Sequence, residues 1–256
     1  MMATTLKLVF LSFIFASCAL QKNQTDNRNP HPLLDGDFHS VFLIGVGSFP
    51  NIEAATAFMV IRNGRQYFVT ARHFADKIQN GSVKFFGMES WDNDYPAIVT
   101  ARGIGETDIS IFVLPLKIPQ KSLPRSPLAT DSDAFRLGDE IWTLGFPLAL
   151  QDSARERTYA YPLLKHGYIA GDASKEQLFL DYHNNPISSG SPVFAKNLRG
   201  ESRVIGIMSS FLRERIKTDS TAYFEDNSGI ALAVSTDQID SLIDSKPIGA
   251  SITELH

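Results

Sequence analysis

The sequence predicts an all-β protein: two packed, six-stranded antiparallel β-barrels followed by a short C-terminal helix. Three observations carry this expectation. Short β-branched and aromatic runs of strand length recur from about Ser40 to Val234, with Gly 17 and Pro 13 scattered between them as turn punctuation. About six such runs lie on either side of Lys121–Ala134, KSLPRSPLATDSDA, which is rich in Pro, Ser and Asp and reads as a linker. The 256 residues, 43% hydrophobic and 20% charged, supply a packed core in a size range that all-β proteins often fill as one unit.

In the first set the strands are Val41–Val46, Ala55–Ile61, Gln66–Thr70, Val83–Phe86, Ala97–Ala101 and Ile109–Leu114. Asn63-Gly64, between the second and third, is a strong hairpin signal. The second set is Glu140–Leu144, Thr158–Leu163, Gly167–Ala170, Gln177–Asp181, Val193–Ala195, Val204–Ser209 and Ile230–Val234. Two short helices are expected, one just after Thr70 and one from Thr236 to about Ser245. The predicted division is a first barrel at 40–120, a linker at 121–135, a second barrel at 136–235, and a helix and tail at 236–256.

The N-terminus has a different character. Lys7 precedes a nine-residue, largely apolar stretch from Leu8 to Ala16, too short for a bilayer span of roughly 20 residues, so residues 1–18 read as an export signal. Phe15-Ala16-Ser17-Cys18 resembles a bacterial lipobox with Phe where Leu is usual, which makes Cys18 the expected lipidation site. Residues 19–39, polar with two prolines, read as a flexible tether. Cys18 is the only cysteine, so the exported part has no thiol for a disulfide, unlike a eukaryotic secreted enzyme of this size. The expectation is an exported bacterial protein, lipid-anchored at the outer membrane or cell surface if the source is Gram-negative, and otherwise periplasmic or secreted. With 24 Lys+Arg against 28 Asp+Glu the net charge is −4, which excludes a basic nucleic-acid footprint. No HExxH motif and no Cys/His cluster is present, so neither a metal nor another cofactor is expected.

Three polar positions stand out against the strands. Thr70-Ala71-Arg72-His73 closes the apolar strand QYFVT and puts an imidazole, a proton shuttle near neutral pH, at a strand-to-helix corner. Thr107-Asp108-Ile109-Ser110-Ile111 puts a carboxylate at the mouth of ISIFVLP, where it can hold an imidazole N–H. Asn185-Pro186-Ile187-Ser188-Ser189-Gly190-Ser191-Pro192-Val193 puts a serine in a small-residue turn that leaves room for a carbonyl and can aim backbone N–H groups at an oxyanion. Each alone has a structural reading: a packed histidine, a turn-capping Asp, an ordinary loop. Their order and contexts together point to nucleophilic catalysis.

That order resembles the chymotrypsin/trypsin-like serine peptidases. TARH is similar to the family's TAAH, DISI to its DIAL, and SSGSPV to its GNSGGPV. Gly138-Asp139-Glu140 through Leu144-Gly145-Phe146-Pro147 resembles the GDxVxxxGxP segment of the disulfide-free bacterial members, the high-temperature-requirement proteases among them. Val204–Ile207 and Gly229–Val234 resemble two of their later strands. The resemblance runs from about Ser40 to Ile243. It implies a serine endopeptidase acting on protein or peptide substrates through an acyl-enzyme: Ser189 the nucleophile, His73 the general base, Asp108 its orienting carboxylate, with backbone N–H groups of Ile187 and Ser189 as the oxyanion hole.

The departures bear on activity. Ile187 stands where the family has Gly, and a β-branched residue there predicts a misaimed donor at rest. Ser188 replaces the family's Asp or Asn, so trypsin-type activation by a new N-terminus is not expected. The resemblance puts His183 at the base of the primary specificity pocket, with Ser209 and Phe211 at its side, implying a narrow pocket for small apolar residues, or an acidic residue held by His183. No room remains before His256 for a PDZ module, so no PDZ-mediated partner is expected. The alternative function is a catalytically impaired pseudoprotease acting as a binding or scaffold module.

Overall fold

The computed structural model describes residues 33, 35–48, 51–78, 81–86, 94–105, 107–118, 123–150, 160–174, 176–217 and 223–252. All of them belong to one unit, Pro32–His256. The expected signal peptide, Cys18 and most of the expected tether lie outside the described residues.

Seven strands and a late addition form the first sheet. These are β1 (Val41–Val46), β2 (Glu53–Arg62), β3 (Arg65–Thr70), β4 (Ser82–Phe86), β5 (Asp94–Pro96), β6 (Ile98–Arg102) and β7 (Ser110–Val113), in the order β5-β4-β1-β2-β3-β7-β6. This sheet curls without closing, so the predicted first six-stranded barrel is corrected to an open, half-barrel sheet. The second sheet does close. It comprises β8 (Glu140–Gly145), β9 (Leu163–Ser174), β10 (Gln177–Asp181), β11 (Pro192–Lys196), β12 (Ser202–Lys217) and β13 (Tyr223–Ser235), ordered β10-β13-β12-β11-β8-β9 and antiparallel throughout.

The strands read as near-continuous apolar runs because both of their faces are buried. In β1, Val41 and Leu43 face the layer between the two sheets, while Phe42 and Ile44 enter the first sheet's interior. That interior is aromatic: Phe68 stacks on Phe112 at 5.2 Å and meets Phe42 and Phe85 edge-on at 5.7 and 5.5 Å. Ile141, Ile169, Leu180, Val193 and Met208 fill the closed barrel. Phe58, Tyr67, Leu144, Phe146, Phe194 and Ile207 join the two bodies.

Elsewhere the differences from expectation are local. Helix α1 (Asp35–Phe38) and the buried Leu33 show that the last third of the predicted tether is docked. The Asp37 carboxylate is the reason: it accepts hydrogen bonds from the N–H groups of Arg125 and Ser126, which lie in the segment between the sheets. The expected strand Thr158–Leu163 is absent over 160–162, and β9 starts at Leu163. Helix α2 (Arg72–Ala75) is a single turn, and α3 (Asp237–Ser245) is amphipathic, burying Ile239 and Ile243. Arg62 anchors α3 through Asp240 and Asp244, at 2.8 and 2.7 Å. The tail then returns as β14 (Ala250–Ser251), pairing with β3. Polar β5 and two-residue β14 carry too little apolar pattern to be read as strands. Among the described residues no helix is long and apolar enough to cross a membrane.

Candidate active site

The pairing of β3 with β7 brings the first two site residues together. The register runs Phe68↔Phe112, Val69↔Ile111, Thr70↔Ser110, and two further steps put Arg72 opposite Asp108, where Arg72 N–H donates to the Asp108 carbonyl at 3.3 Å. His73, next in α2, then donates its backbone N–H to Asp108 Oδ1 at 2.9 Å, and its Nδ1 lies 2.8 Å from Asp108 Oδ2. The Arg72 side chain braces the loop before Asp108 through the carbonyls of Gly103 and Gly105, at 2.9 and 2.8 Å. His73 is half exposed and Asp108 only 16% exposed by side chain. Burial pushes the Asp108 carboxyl up, but hydrogen bonds from His73 and Ser209 outweigh it and hold the group below the ordinary aspartate value.

Ser189 comes from the second body, in the turn before β11. Its carbonyl accepts from Thr56 N–H of β2 at 3.0 Å, a direct tie between the two sheets. Gly190 follows with φ +91°, and a Cβ there would stand 1.9 Å from the Thr56 carbonyl oxygen, so only glycine fits. The Ser189 hydroxyl donates to the Ser209 carbonyl at 3.0 Å, while the Ser209 hydroxyl donates to Asp108 Oδ2 at 2.7 Å. A chain of contacts thus runs Ser189–Ser209–Asp108–His73.

Ser209 was expected along the specificity pocket. Its hydroxyl is turned to the Asp108 carboxylate and its carbonyl to Ser189, so β12 runs beside both. His183 is exposed, and its carbonyl accepts from Lys165 Nζ. Phe211 is half-buried with the Arg213 guanidinium 5.7 Å above its ring.

Between His183 and Ser189 the backbone makes a tight turn. Ser188 N–H donates to the Asn185 carbonyl at 3.2 Å, Pro186 occupies the second position, and Ile187 the third with φ +74°. This is the pattern of a type II turn, whose third residue is ordinarily Gly or Asn. A β-branched residue in the left-handed region costs about 1–3 kcal/mol. The β-branched side chain therefore makes the glycine-like conformation costly without preventing it. Two contacts hold it: Leu148 N–H on the Pro186 carbonyl at 2.8 Å and the Thr56 hydroxyl on the Ile187 carbonyl at 3.0 Å. A trans peptide sets Ile187 N–H antiparallel to the Pro186 carbonyl, hence away from Leu148. Neither Ile187 N–H nor Ser189 N–H donates to another described residue, whereas Ser188 N–H between them is used in the turn. The arrangement offers two backbone donors beside a serine, the requirement for holding an oxyanion.

Sequence reasoning missed Thr56, Leu148 and Lys165. Thr56 had a signal, a hydroxyl in the otherwise apolar AATAFMV run; Leu148 had none. Among the described residues no group of three or more His, Cys, Asp or Glu is arranged to hold a metal ion.

Residues 55–207 match the family model described as the trypsin-like peptidase domain, a span that includes His73, Asp108 and Ser189. The chain belongs to that family. Among solved structures, this trypsin-like chain is similar to a serine endoprotease from Yersinia pestis (TM-score 0.54, 17% identity, covering 82% of this chain and 63% of that one). It is also similar to the HtrA-type protease AlgW with a tripeptide (TM-score 0.54, 17% identity, covering 82% and 62%). The chain thus spans less than two thirds of the length of these neighbours, and at this identity the likeness is one of fold. No curated protein matches it in sequence. The family match and the fold agree with one another.

Proposed function

We propose that this trypsin-like chain is a serine endopeptidase whose nucleophile is Ser189. The reaction starts when Ser189 Oγ leaves the Ser209 carbonyl and attacks the scissile carbonyl carbon while His73 Nε2 takes its proton. Asp108, bonded to Nδ1, keeps the imidazole in the tautomer with Nε2 free and stabilises the imidazolium that forms. The N–H groups of Ile187 and Ser189 hold the oxyanion. The tetrahedral intermediate expels the amine, which takes the proton from His73. A water, deprotonated by His73, then attacks the acyl-enzyme, and collapse of the second intermediate returns the proton to Ser189 and frees the acid. The observation that carries the reading is the continuous contact chain from Ser189 through Ser209 and Asp108 to His73, beside two backbone donors with no other described partner.

Export through residues 1–18 and lipid attachment at Cys18 belong to the same proposal, and place the peptidase at a membrane surface with protein or peptide substrates. Mass spectrometry of the mature N-terminus tests that part: an acylated Cys18 supports it and a free N-terminus at Ala19 overturns it.

A second reading, a pseudoprotease that binds without cleaving, is favoured by one observation: at rest the Ser189 hydroxyl is engaged by the Ser209 carbonyl rather than by His73. A fluorophosphonate probe separates the two, with Ser189→Ala as control. Labelling that disappears in Ser189→Ala supports the peptidase, and absence of labelling in the folded protein supports the second reading.

A further inference from the structure

Lys165 stands outside the chain of contacts described above and yet reaches the segment that leads into the oxyanion turn. It lies in β9 opposite Thr143 of β8, and its ammonium sits 4.4 Å from the centroid of the Tyr182 ring. Tyr182 is itself buried, its hydroxyl 2.6 Å from Thr143 Oγ1, so the ring is a fixed platform. From it the ammonium donates to the His183 carbonyl and, at 3.0 Å, to Asn185 Oδ1. It makes no ion pair with a carboxylate among the described residues, and burial lowers its pKa below the ordinary lysine value. A partly desolvated cation whose acceptors are all neutral groups of one segment pulls on that segment.

The segment needs holding. Asn185 is the first residue of the turn, bound by Lys165 through its side chain and by Ser188 N–H through its carbonyl. Two residues on is Ile187, in the left-handed conformation that a β-branched side chain resists. A flip of the Pro186–Ile187 peptide would relieve Ile187 and swing its N–H away from the oxyanion position. The contacts that oppose the flip come from Leu148, Thr56 and, through Asn185, Lys165.

We propose that Lys165 is a positioning residue for the oxyanion turn: by tying down His183 and Asn185 it keeps the Pro186–Ile187 peptide in the orientation that strains Ile187. The inference rests on the peptidase reading for its effect on activity, but not for its effect on the turn. Two readouts therefore test it. The first is hydrogen exchange of the Leu148 amide, which donates to the Pro186 carbonyl and is protected there only while that peptide keeps its orientation, since the flip leaves the Ser188 N–H bond to Asn185 in place. Protection is expected to fall about 10-fold or more in Lys165→Met, the scale of one charge-assisted bond. Asn185→Ala, which removes the acceptor from the other side, is expected to do the same if Lys165→Met fails to fold. The second is the fluorophosphonate labelling rate, expected to fall in parallel.

Rescue makes the test specific. Gly accepts positive φ without strain, so the Ile187→Gly turn no longer needs the strut. Lys165→Met in that background is expected to change Leu148 protection less than 2-fold. Unchanged Leu148 protection in both Lys165→Met and Asn185→Ala overturns the inference. So does an equal loss in the Ile and Gly backgrounds, which would make Lys165 a general structural residue. Unlabelled wild-type protein would overturn the peptidase reading alone, since the exchange measurement still decides the role of Lys165.

Discussion

Asp37→Ala tests whether the N-terminal segment is part of the folded body. Asp37 is 1% exposed, and its carboxylate accepts from Arg125 N–H at 3.0 Å, Ser126 N–H at 2.7 Å and the Ser126 hydroxyl at 2.9 Å. Alanine removes the buried charge along with its bonds, so the three bonds do not simply add. What it leaves is two backbone N–H groups without an acceptor, at about 1–3 kcal/mol each. The Ser126 hydroxyl is not stranded, because Ser202 Oγ lies 2.9 Å away. Arg125 N–H is in a half-buried stretch where water can reach it, which puts the net loss near 3 kcal/mol. For a unit of about 220 residues, at roughly 2.1 cal/mol/K of unfolding entropy per residue, that is a fall in Tm of about 6–7 °C. Scanning calorimetry with parallel urea titration measures it. Asp37→Asn, which keeps the volume and one carbonyl acceptor, is expected to lose about half as much. A loss under about 1 kcal/mol in Asp37→Ala would refute the reasoning and return residues 33–39 to the role of a loose tether.

Three further outcomes follow from the geometry. Gly190→Ala, with a Cβ driven to 1.9 Å from the Thr56 carbonyl oxygen at φ +91°, is expected to cost more than about 4 kcal/mol or abolish folding, as read by urea denaturation. The Asp108 pKa is lowered in the folded state, so its charge adds stability that is fully present above the unfolded value near 3.8 and is lost as pH falls through the lower folded value. The Tm gap between wild type and Asp108→Asn is therefore expected to narrow below about pH 4, and a gap independent of pH would contradict the assignment. Tyr182, pushed up to about 12 by burial, is expected to stay protonated when the exposed tyrosines titrate near pH 10; ultraviolet absorbance difference against Tyr182→Phe checks this.

The strands that face two cores were the most legible part of the fold. Val41–Val46 is apolar on both faces because one face meets the aromatic interior and the other the layer between the sheets, and such runs are unmistakable in sequence. Closure of a sheet is not written in any one strand: it depends on which edges find partners, and the first sheet's edge strands β5 and β6, though consecutive in the chain, do not pair. The extension of β12 and β13 into a long hairpin was missed for a related reason, since Arg213, Arg215 and Glu225 carry it with exposed polar residues rather than an apolar stripe. For the candidate site, His73, Asp108 and Ser189 were legible because each sits beside a strongly patterned strand. Ser209 had the same visibility, but its contacts to Ser189 and Asp108 are set by how the two bodies meet, which no local pattern encodes.

The backbone around the oxyanion turn adds something that contacts alone do not. Among the described residues the non-glycine positions with positive φ are Asn63, Leu148, Ala149 and Ile187. Asn63 sits in the hairpin turn ahead of Gly64, where Asn is at ease. The other three converge on one hydrogen bond, from Leu148 N–H to the Pro186 carbonyl beside Ile187. At about 1–3 kcal/mol each, they represent strain comparable to a large share of a typical domain's stability, concentrated on the two segments that this hydrogen bond joins. Strain of that size persists only where surrounding bonds over-determine the conformation. Here those bonds come from Thr56 in the first sheet, Leu148 after β8 and Lys165 in β9, so the turn depends on the packing of both bodies at once. A change that loosens the packing of the two bodies is therefore expected to reach the oxyanion donors before it reaches the His73–Asp108 pair, whose two mutual hydrogen bonds are set within the first sheet and which takes only the Ser209 contact from the second.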